Sequence, residues 1–344
     1  MSECEFCFCR DGKSHYSKCP VVNQSSVVQL NGLSTAATLN RGRYKIGMAL
    51  NHGGFGITYL CKDLEYDRRV VIKEFFPDRF SDRDIRQSNS VRYHGISDDA
   101  LGMMQEQFYR EYDIMTKAAG PGIPAIYDFF PENNSAYIAM DFIDGITFRK
   151  YLLKQKVRLP WWELRKKFFM PLMETVSRIH RKGILHRDIS LVNLMITKEE
   201  KIVLLDFGAG RDFHEQDSAG NLRFANKMYA PIEQTNPEKG YRQGPWTDIF
   251  AMGTVFYTAI TGEYPPMALE RPQKAVESAM TYVPDLPEEV DDVLMKSLFY
   301  YPQHRFRSVE EFSQALSAVP DPPRPSIWGR FFRKFKETDI KGRN

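Results

Sequence analysis

Between Ile184 and Gly208, three side chains carrying hard oxygen atoms recur in short order: Asp188, Asn193 and Asp206. Apolar runs separate the last two, Leu194-Met-Ile before a polar turn and Ile202-Val-Leu-Leu after it. Two such runs around a turn predict a β-hairpin with polar groups at its ends. Carboxylate and amide oxygens fixed in this way suit a hard cation such as Mg²⁺. Phosphoryl transfer requires a cation site of this kind, plus a carboxylate that takes up a hydroxyl proton. The plain alternative is a loop whose Asp and Asn only cap turns.

The run His186-Arg187-Asp188-Ile-Ser190-Leu-Val-Asn193, with Asp206-Phe207-Gly208 thirteen residues on, resembles the catalytic and metal-binding loops of the protein kinase family. That resemblance implies Asp188 as catalytic base and Asn193 and Asp206 as Mg²⁺ ligands. Ser190 departs from it, standing where most Ser/Thr kinases carry Lys.

Such groups need partners that bind phosphate. Tyr44 to Leu50 alternates as a strand does, Asn51-His52-Gly53-Gly54-Phe55-Gly56 follows, and Ile57 to Leu60 resumes a strand. A glycine-rich turn between strands lets backbone N–H groups approach phosphates. A dinucleotide fingerprint would instead open a helix. Asn51 replaces the first glycine of the kinase loop, and Asn tolerates positive φ. Arg69 to Lys73 reads as a second strand with Val71 and Lys73 on one face. The resemblance puts Val71 against adenine and Lys73 on the phosphates. Lys73 requires a carboxylate partner. Glu111 is the candidate on a helix spanning 105–119, with Glu106 competing, because Phe108, Tyr112, Met115 and Ala119 recur at helical spacing. Residues 77–104 read as a polar surface insert. Placed by order along the chain, the resemblance further implies that Met140 lines the back of the adenine pocket and that the backbones of Asp141 and Ile143 meet the purine edge.

Downstream, Phe168, Phe169, Leu172, Met173, Val176 and Ile179 predict a core helix ending at Lys182-Gly183. Pro231-Ile232-Glu233 resembles the close of the kinase activation segment, with Arg305 as the partner of Glu233 and Asp248 bracing the catalytic loop. Asn226 stands where the family often has Thr. Lys227 is a candidate to compensate for the missing Lys at Ser190, and Ser218 is a candidate phosphate carrier for Arg187.

The whole chain bounds these readings. Its 344 residues accommodate one large two-lobed domain, and a net charge of +3 is too small to argue for nucleic acid. Nothing in the sequence points away from the cytoplasm. Cys4, Cys7, Cys9 and Cys19 read either as a small Zn²⁺ site or as reduced thiols of a tail. Residues 1–40 read as that tail with a polar linker, 41–319 as the kinase domain, and 320–344 as a Pro-rich spacer and basic helix. Within the domain, a small lobe spans about 41–140 and a large one about 144–319. Trp328, Phe331, Phe332 and Phe335 form one face of the basic helix, within 327–336. That face lies on an anionic membrane surface, docks on a partner, or packs back on the chain.

The expected fold is α+β and two-lobed, protein kinase-like, with a small β-rich N-lobe and a large helical C-lobe. The expected function is ATP- and Mg²⁺-dependent transfer to Ser/Thr hydroxyls of protein substrates, as in bacterial members of the family. A pseudokinase that binds nucleotide or scaffolds partners is the alternative, and a small-molecule kinase is the third reading.

Overall fold

The computed structural model describes residues 4, 6–8, 32–84, 89–155, 157–212, 226–236 and 240–322. The chain divides into two compact units, one of 1–119 with 124–142 and one of 120–123 with 143–344.

The first unit is a sheet with one long helix. Its strands are β1 (Thr38–Leu39), β2 (Tyr44–Gly53), β3 (Gly56–Asp63), β4 (Arg68–Phe75), β5 (Ser81–Arg83), β6 (Val91–Tyr93), β7 (Ile126–Glu132) and β8 (Ser135–Asp141), and its helix is α1 (Asp98–Ala118). Six strands pair in the order β1-β2-β3-β4-β8-β7, and β5 pairs with β6. Alternation drives the pairing. Tyr59 and Cys61 of β3 and Val70 and Ile72 of β4 all point into one core, which Tyr44, Ile46 and Tyr137 complete.

Two expectations are corrected here. The polar stretch up to residue 40 is not all linker, because Leu33 and Leu39 are buried in the sheet core and the Leu33 N–H donates to the Tyr59 hydroxyl (3.0 Å). Nor is 77–104 a plain surface loop. It holds the β5–β6 hairpin, and α1 starts at Asp98 rather than near 105, because Ser97 caps the Ala100 N–H and Asp98 and Asp99 fill the first turn.

β2 bulges between Ile46 and Met48. A Cβ on Gly47 would lie 2.5 Å from the Phe6 carbonyl oxygen and 2.7 Å from the Phe8 ring, so the segment around Cys7 can approach the sheet only at a glycine. Cys4, Cys7 and Phe8 form an apolar cluster there with Met48 and Leu60. Gly47→Ala is therefore expected to dislodge this segment. A thiol reagent under native conditions then modifies Cys4 and Cys7, while Cys61 in the sheet core stays protected.

The second unit contains β9 (Gly145–Thr147), α2 (Phe148–Lys154), α3 (Trp161–Leu164), α4 (Met170–Arg181), β10 (Ile184–Leu185), β11 (Leu194–Thr197), β12 (Ile202–Leu204), β13 (Arg211–Asp212), α5 (Ile232–Thr235), α6 (Pro245–Thr261), α7 (Glu288–Ser297) and α8 (Val309–Ala318). α6 is its axis. Every residue from Thr247 to Thr261 is buried, as an all-round apolar helix must be, and Gly262 in a left-handed conformation (φ 82°) ends it. Phe169, just before α4, stacks on Phe256 of α6 at 3.8 Å between centroids, and Phe312 of α8 packs on the same ring. α4 ends at Lys182-Gly183 (Gly183 φ 77°), which turns the chain into the 184–208 stretch. Among the described residues, no helix is long and apolar enough to cross a membrane.

Candidate active site

In the first unit the site residues gather on one face of the sheet. β2 and β3 close as a hairpin, with Gly53 opposite Gly56 and Gly54-Phe55 as the turn. Gly56 is required by close approach, since a Cβ there would lie 2.5 Å from the Glu74 carbonyl oxygen. Asn51 keeps an ordinary extended backbone in β2, paired with Thr58, and is not among the residues of positive φ. The missing glycine therefore costs no strain, for a simpler reason than tolerance of positive φ. The turn is tied down by Phe76 N–H to the Phe55 carbonyl (3.0 Å), and His52 lies 3.0 Å from Asp78.

Val71 pairs with Met140 and Lys73 with Ile138, so Val71, Lys73 and Met140 share a face. Lys73 Nζ contacts both carboxylate oxygens of Glu111, at 2.6 and 2.8 Å. Glu106, the competing candidate, instead pairs with Arg110 one turn along α1. Helical phase explains the choice, since Glu111 is buried beside Phe108 and Met115. Asp141 donates its backbone N–H to the Ala125 carbonyl (2.9 Å) and accepts the Ala125 N–H on its side chain (3.0 Å).

In the second unit the expected hairpin forms between β11 and β12. Its ladder extends by Leu205 N–H to the Asn193 carbonyl (2.8 Å), which brings Asn193 and the neighbour of Asp206 together at the open end. Asn193 Nδ2 donates to the Asp188 carbonyl (2.9 Å) and to Asp188 Oδ2 (2.7 Å). The amide is thereby oriented, and its oxygen remains the acceptor offered to a cation. Asp206 Oδ1 accepts the Gly208 N–H (3.1 Å).

Asp188 Oδ1 is buried without a hydrogen-bond partner. Burial, and then the charge of Asp206, push this carboxyl up to about 7, against the pull of Asn193. A buried acceptor left open in this way fits an incoming hydroxyl donor. Arg187 and Asp206 both adopt left-handed backbone conformations (φ 68° and 59°), unusual for non-glycine residues. Asp248 over-determines the first of these. Its carboxylate accepts the N–H groups of His186 (2.9 Å) and Arg187 (2.7 Å) and contacts His180 Nε2 (2.7 Å). His186 in turn reaches the Leu205 carbonyl (3.0 Å) and sets its ring edge-on to Phe207. One imidazole thus clasps both loops, and burial lowers its pKa so that it stays neutral.

These arrangements match a known family. The protein kinase domain profile fits residues 44–316. The chain belongs to the protein kinase family. Among curated relatives of this kinase, the serine/threonine-protein kinase PrkC of Bacillus subtilis is 25% identical over 292 residues, covering 82% of this chain and 41% of PrkC. The serine/threonine-protein kinase PknD of Chlamydia muridarum is 28% identical over 311 residues, covering 80% of this chain and 31% of PknD. The chain thus spans less than half the length of these relatives. A solved structure titled PpkA-294 apo form superposes with a TM-score of 0.70 at 29% identity, covering 83% of this chain and 99% of that one. The PknI kinase domain of Mycobacterium tuberculosis, at 22% identity and a TM-score of 0.60, shares the fold. The α+β, two-lobed kinase fold expected from the sequence is confirmed.

Two parts of the kinase machinery escaped the sequence reading. His180 lies on the buried stripe of α4 and meets Asp248, and a polar residue on an apolar helix face was the signal. Gln234, next to Glu233, donates to the Arg187 carbonyl (2.7 Å), so the closing segment holds the same strained residue that Asp248 holds. The proposed compensation around Ser190 does not form. Ser190 is wholly buried with its hydroxyl on the Asn193 N–H (3.4 Å), Asn226 is exposed and caps the Met228 N–H (3.3 Å), and Lys227 is exposed. Short side chains at both places satisfy local backbone instead of reaching each other. Ser218 and the aromatic run 328–335 lie outside the described residues.

Cys4 and Cys7 belong to an apolar cluster with Phe8, Met48 and Leu60, and Cys9 and Cys19 lie outside the described residues. Among the described residues, no three His, Cys, Asp or Glu side chains gather as a metal group. The Zn²⁺ expectation therefore gains no support.

Proposed function

We propose that this chain is a protein kinase that transfers the γ-phosphoryl group of ATP to Ser or Thr hydroxyls of protein substrates. The observation that carries this reading is the open, buried Oδ1 of Asp188, on a carboxyl whose other oxygen is steadied by Asn193. An oriented carboxyl oxygen left open to a hydroxyl is the geometry a general base needs. The relatives' names support the Ser/Thr class.

In this reading the first unit handles the nucleotide. The backbone of 51–56 meets phosphate, Lys73 held by Glu111 neutralises it, Val71 and Met140 line the purine, and the Asp141 backbone meets its edge. The second unit handles the hydroxyl and the metal. Asn193 and Asp206, both hard oxygen donors, would hold Mg²⁺, which supplies charge neutralisation on the phosphates. Asp188 orients the acceptor hydroxyl and takes its proton. The same proposal places the chain in the cytoplasm and gives residues 327–336 a contact with an anionic membrane surface or a partner. Their aromatic and basic composition is the support.

Incubation with ATP, Mg²⁺ and a general protein acceptor is expected to give phosphoserine and phosphothreonine. Lys73→Met is expected to lower kcat/KM by about 10²-fold or more, as loss of a preorganised charge does. Phosphotyrosine alone would refute the substrate class. An undiminished rate in Lys73→Met would refute the role of that lysine.

A further inference from the structure

Two ion pairs stand back to back on β4. Lys73 and Glu74 are consecutive, so their side chains leave opposite faces of the strand. On one face Lys73 meets Glu111 of α1. On the other, Glu74 is wholly buried and accepts from Arg83 Nη2 (2.6 Å), the Tyr59 hydroxyl (2.8 Å) and the Tyr137 hydroxyl (2.6 Å).

Arg83 belongs to the β5–β6 hairpin, in the stretch that links β4 to α1. Its Nη1 donates to the Asn89 carbonyl (2.7 Å) and braces that hairpin from within. The hairpin is also fixed to the β7–β8 turn. The Val91 N–H donates to the Asn133 carbonyl (2.8 Å), and Asn134 Nδ2 donates to the Val91 carbonyl (2.9 Å). From β6, Tyr93 packs on Phe75, and Phe75 packs on Phe108 of α1, three residues before Glu111. Arg83 thus closes a ring that runs from β4 through the hairpin to α1 and returns to β4 through Glu111 and Lys73.

We propose that Glu74 and Arg83 are positioning residues for Lys73, fixing the β5–β6 hairpin so that α1 presents Glu111 to the lysine. The inference rests on Lys73 as the phosphate-binding group. A buried ion pair is a weak device for stability, because well-packed apolar side chains of similar size do as well or better. What a charged fork adds is a fixed geometry, and here that geometry is transmitted to Glu111, a carboxylate that meets Lys73.

The test uses the full chain with Arg83→Met, the paired change Glu74→Gln with Arg83→Met, and Arg83→Lys. The rate of Lys73 acetylation is read by mass spectrometry against the exposed Lys198 and Lys227, beside kcat/KM and the melting temperature. Loss of a partner carboxylate lowers an amine pKa by about one unit or more. Lys73 acetylation is therefore expected to rise about tenfold in both Met-containing variants. kcat/KM is expected to fall about tenfold to a hundredfold, as for a misplacement of about 1 Å. The paired change restores the melting temperature without restoring Lys73, and Arg83→Lys lies nearer the parent on both readouts. A paired variant with parental Lys73 reactivity overturns the proposal and leaves the pair a stability element. Raised Lys73 reactivity in the Met-containing variants, together with a parent chain that transfers no phosphate, upholds the positioning and refutes the phosphotransfer reading instead.

Discussion

Asp188→Asn is expected to lower phosphotransfer by about 10²- to 10⁴-fold and, in metal-free buffer at pH 8, to melt higher than the parent chain. The two effects share one cause. Burial and the neighbouring Asp206 raise the Asp188 carboxyl to about 7 in the folded chain, whereas an unfolded chain returns it to about 4. The folded state therefore binds this proton more tightly than the unfolded state does. Stability is then highest below about pH 4 and falls as pH rises through about 7. An asparagine carries no charge to bury and keeps the shape. The gain at pH 8 is on the order of 1 kcal/mol or more, roughly 2–4 °C per kcal/mol in Tm, and it vanishes below about pH 4. Melting curves across pH check it. Equal melting temperatures for the two chains at pH 8 would show that Asp188 is not held at a cost in the fold.

Arg305→Met is expected to destabilise the second unit by about 3–5 kcal/mol, the cost of leaving a buried partner uncompensated. Arg305 Nη1 meets Glu233 Oε1 at 2.7 Å and Nη2 meets Oε2 at 3.2 Å, with both side chains fully buried. Arg305 also donates to the carbonyls of Phe299 (2.6 Å) and Tyr300 (2.8 Å), and Thr247 donates to Glu233 (3.0 Å). Burial lowers the guanidinium pKa, and Glu233 offsets part of that. The pair anchors 226–236, which delivers Gln234 to the Arg187 carbonyl. Activity is therefore expected to fall before the fold melts. Adding Glu233→Gln removes the unpaired charge and recovers about half the loss or more. Urea unfolding of the parent chain and the two variants measures this, and a paired variant no more stable than Arg305→Met contradicts it.

The hairpin of Asn193 and Asp206 was legible because two apolar runs and a polar turn are a local signal. The Lys73–Glu111 pair was legible because helical spacing puts Glu111, not Glu106, beside Phe108. What stayed hidden was non-local. Arg83 reads as one more charge in a polar insert, and nothing in the sequence says that Glu74, adjacent to Lys73, takes it across the strand. Leu33 and Leu39 are two apolar residues in a polar run, and only the sheet they cover gives them meaning. The cap Ser97-Asp98-Asp99 was a readable start for α1, and its polarity made it look like loop. Ser190 and Asn226 were linked by a family pattern, whereas each spends its side chain on its own backbone.

Transfer of labelled phosphate from ATP in the presence of Mg²⁺, compared among the parent chain, Asp188→Ala and Asp206→Ala, tests the central claim most directly. Strong labelling of the acceptor by the parent and a loss of about 10²-fold or more in both variants is the predicted result. Equal label with all three chains would contradict it, because it would remove both the base and the metal ligand from the reaction.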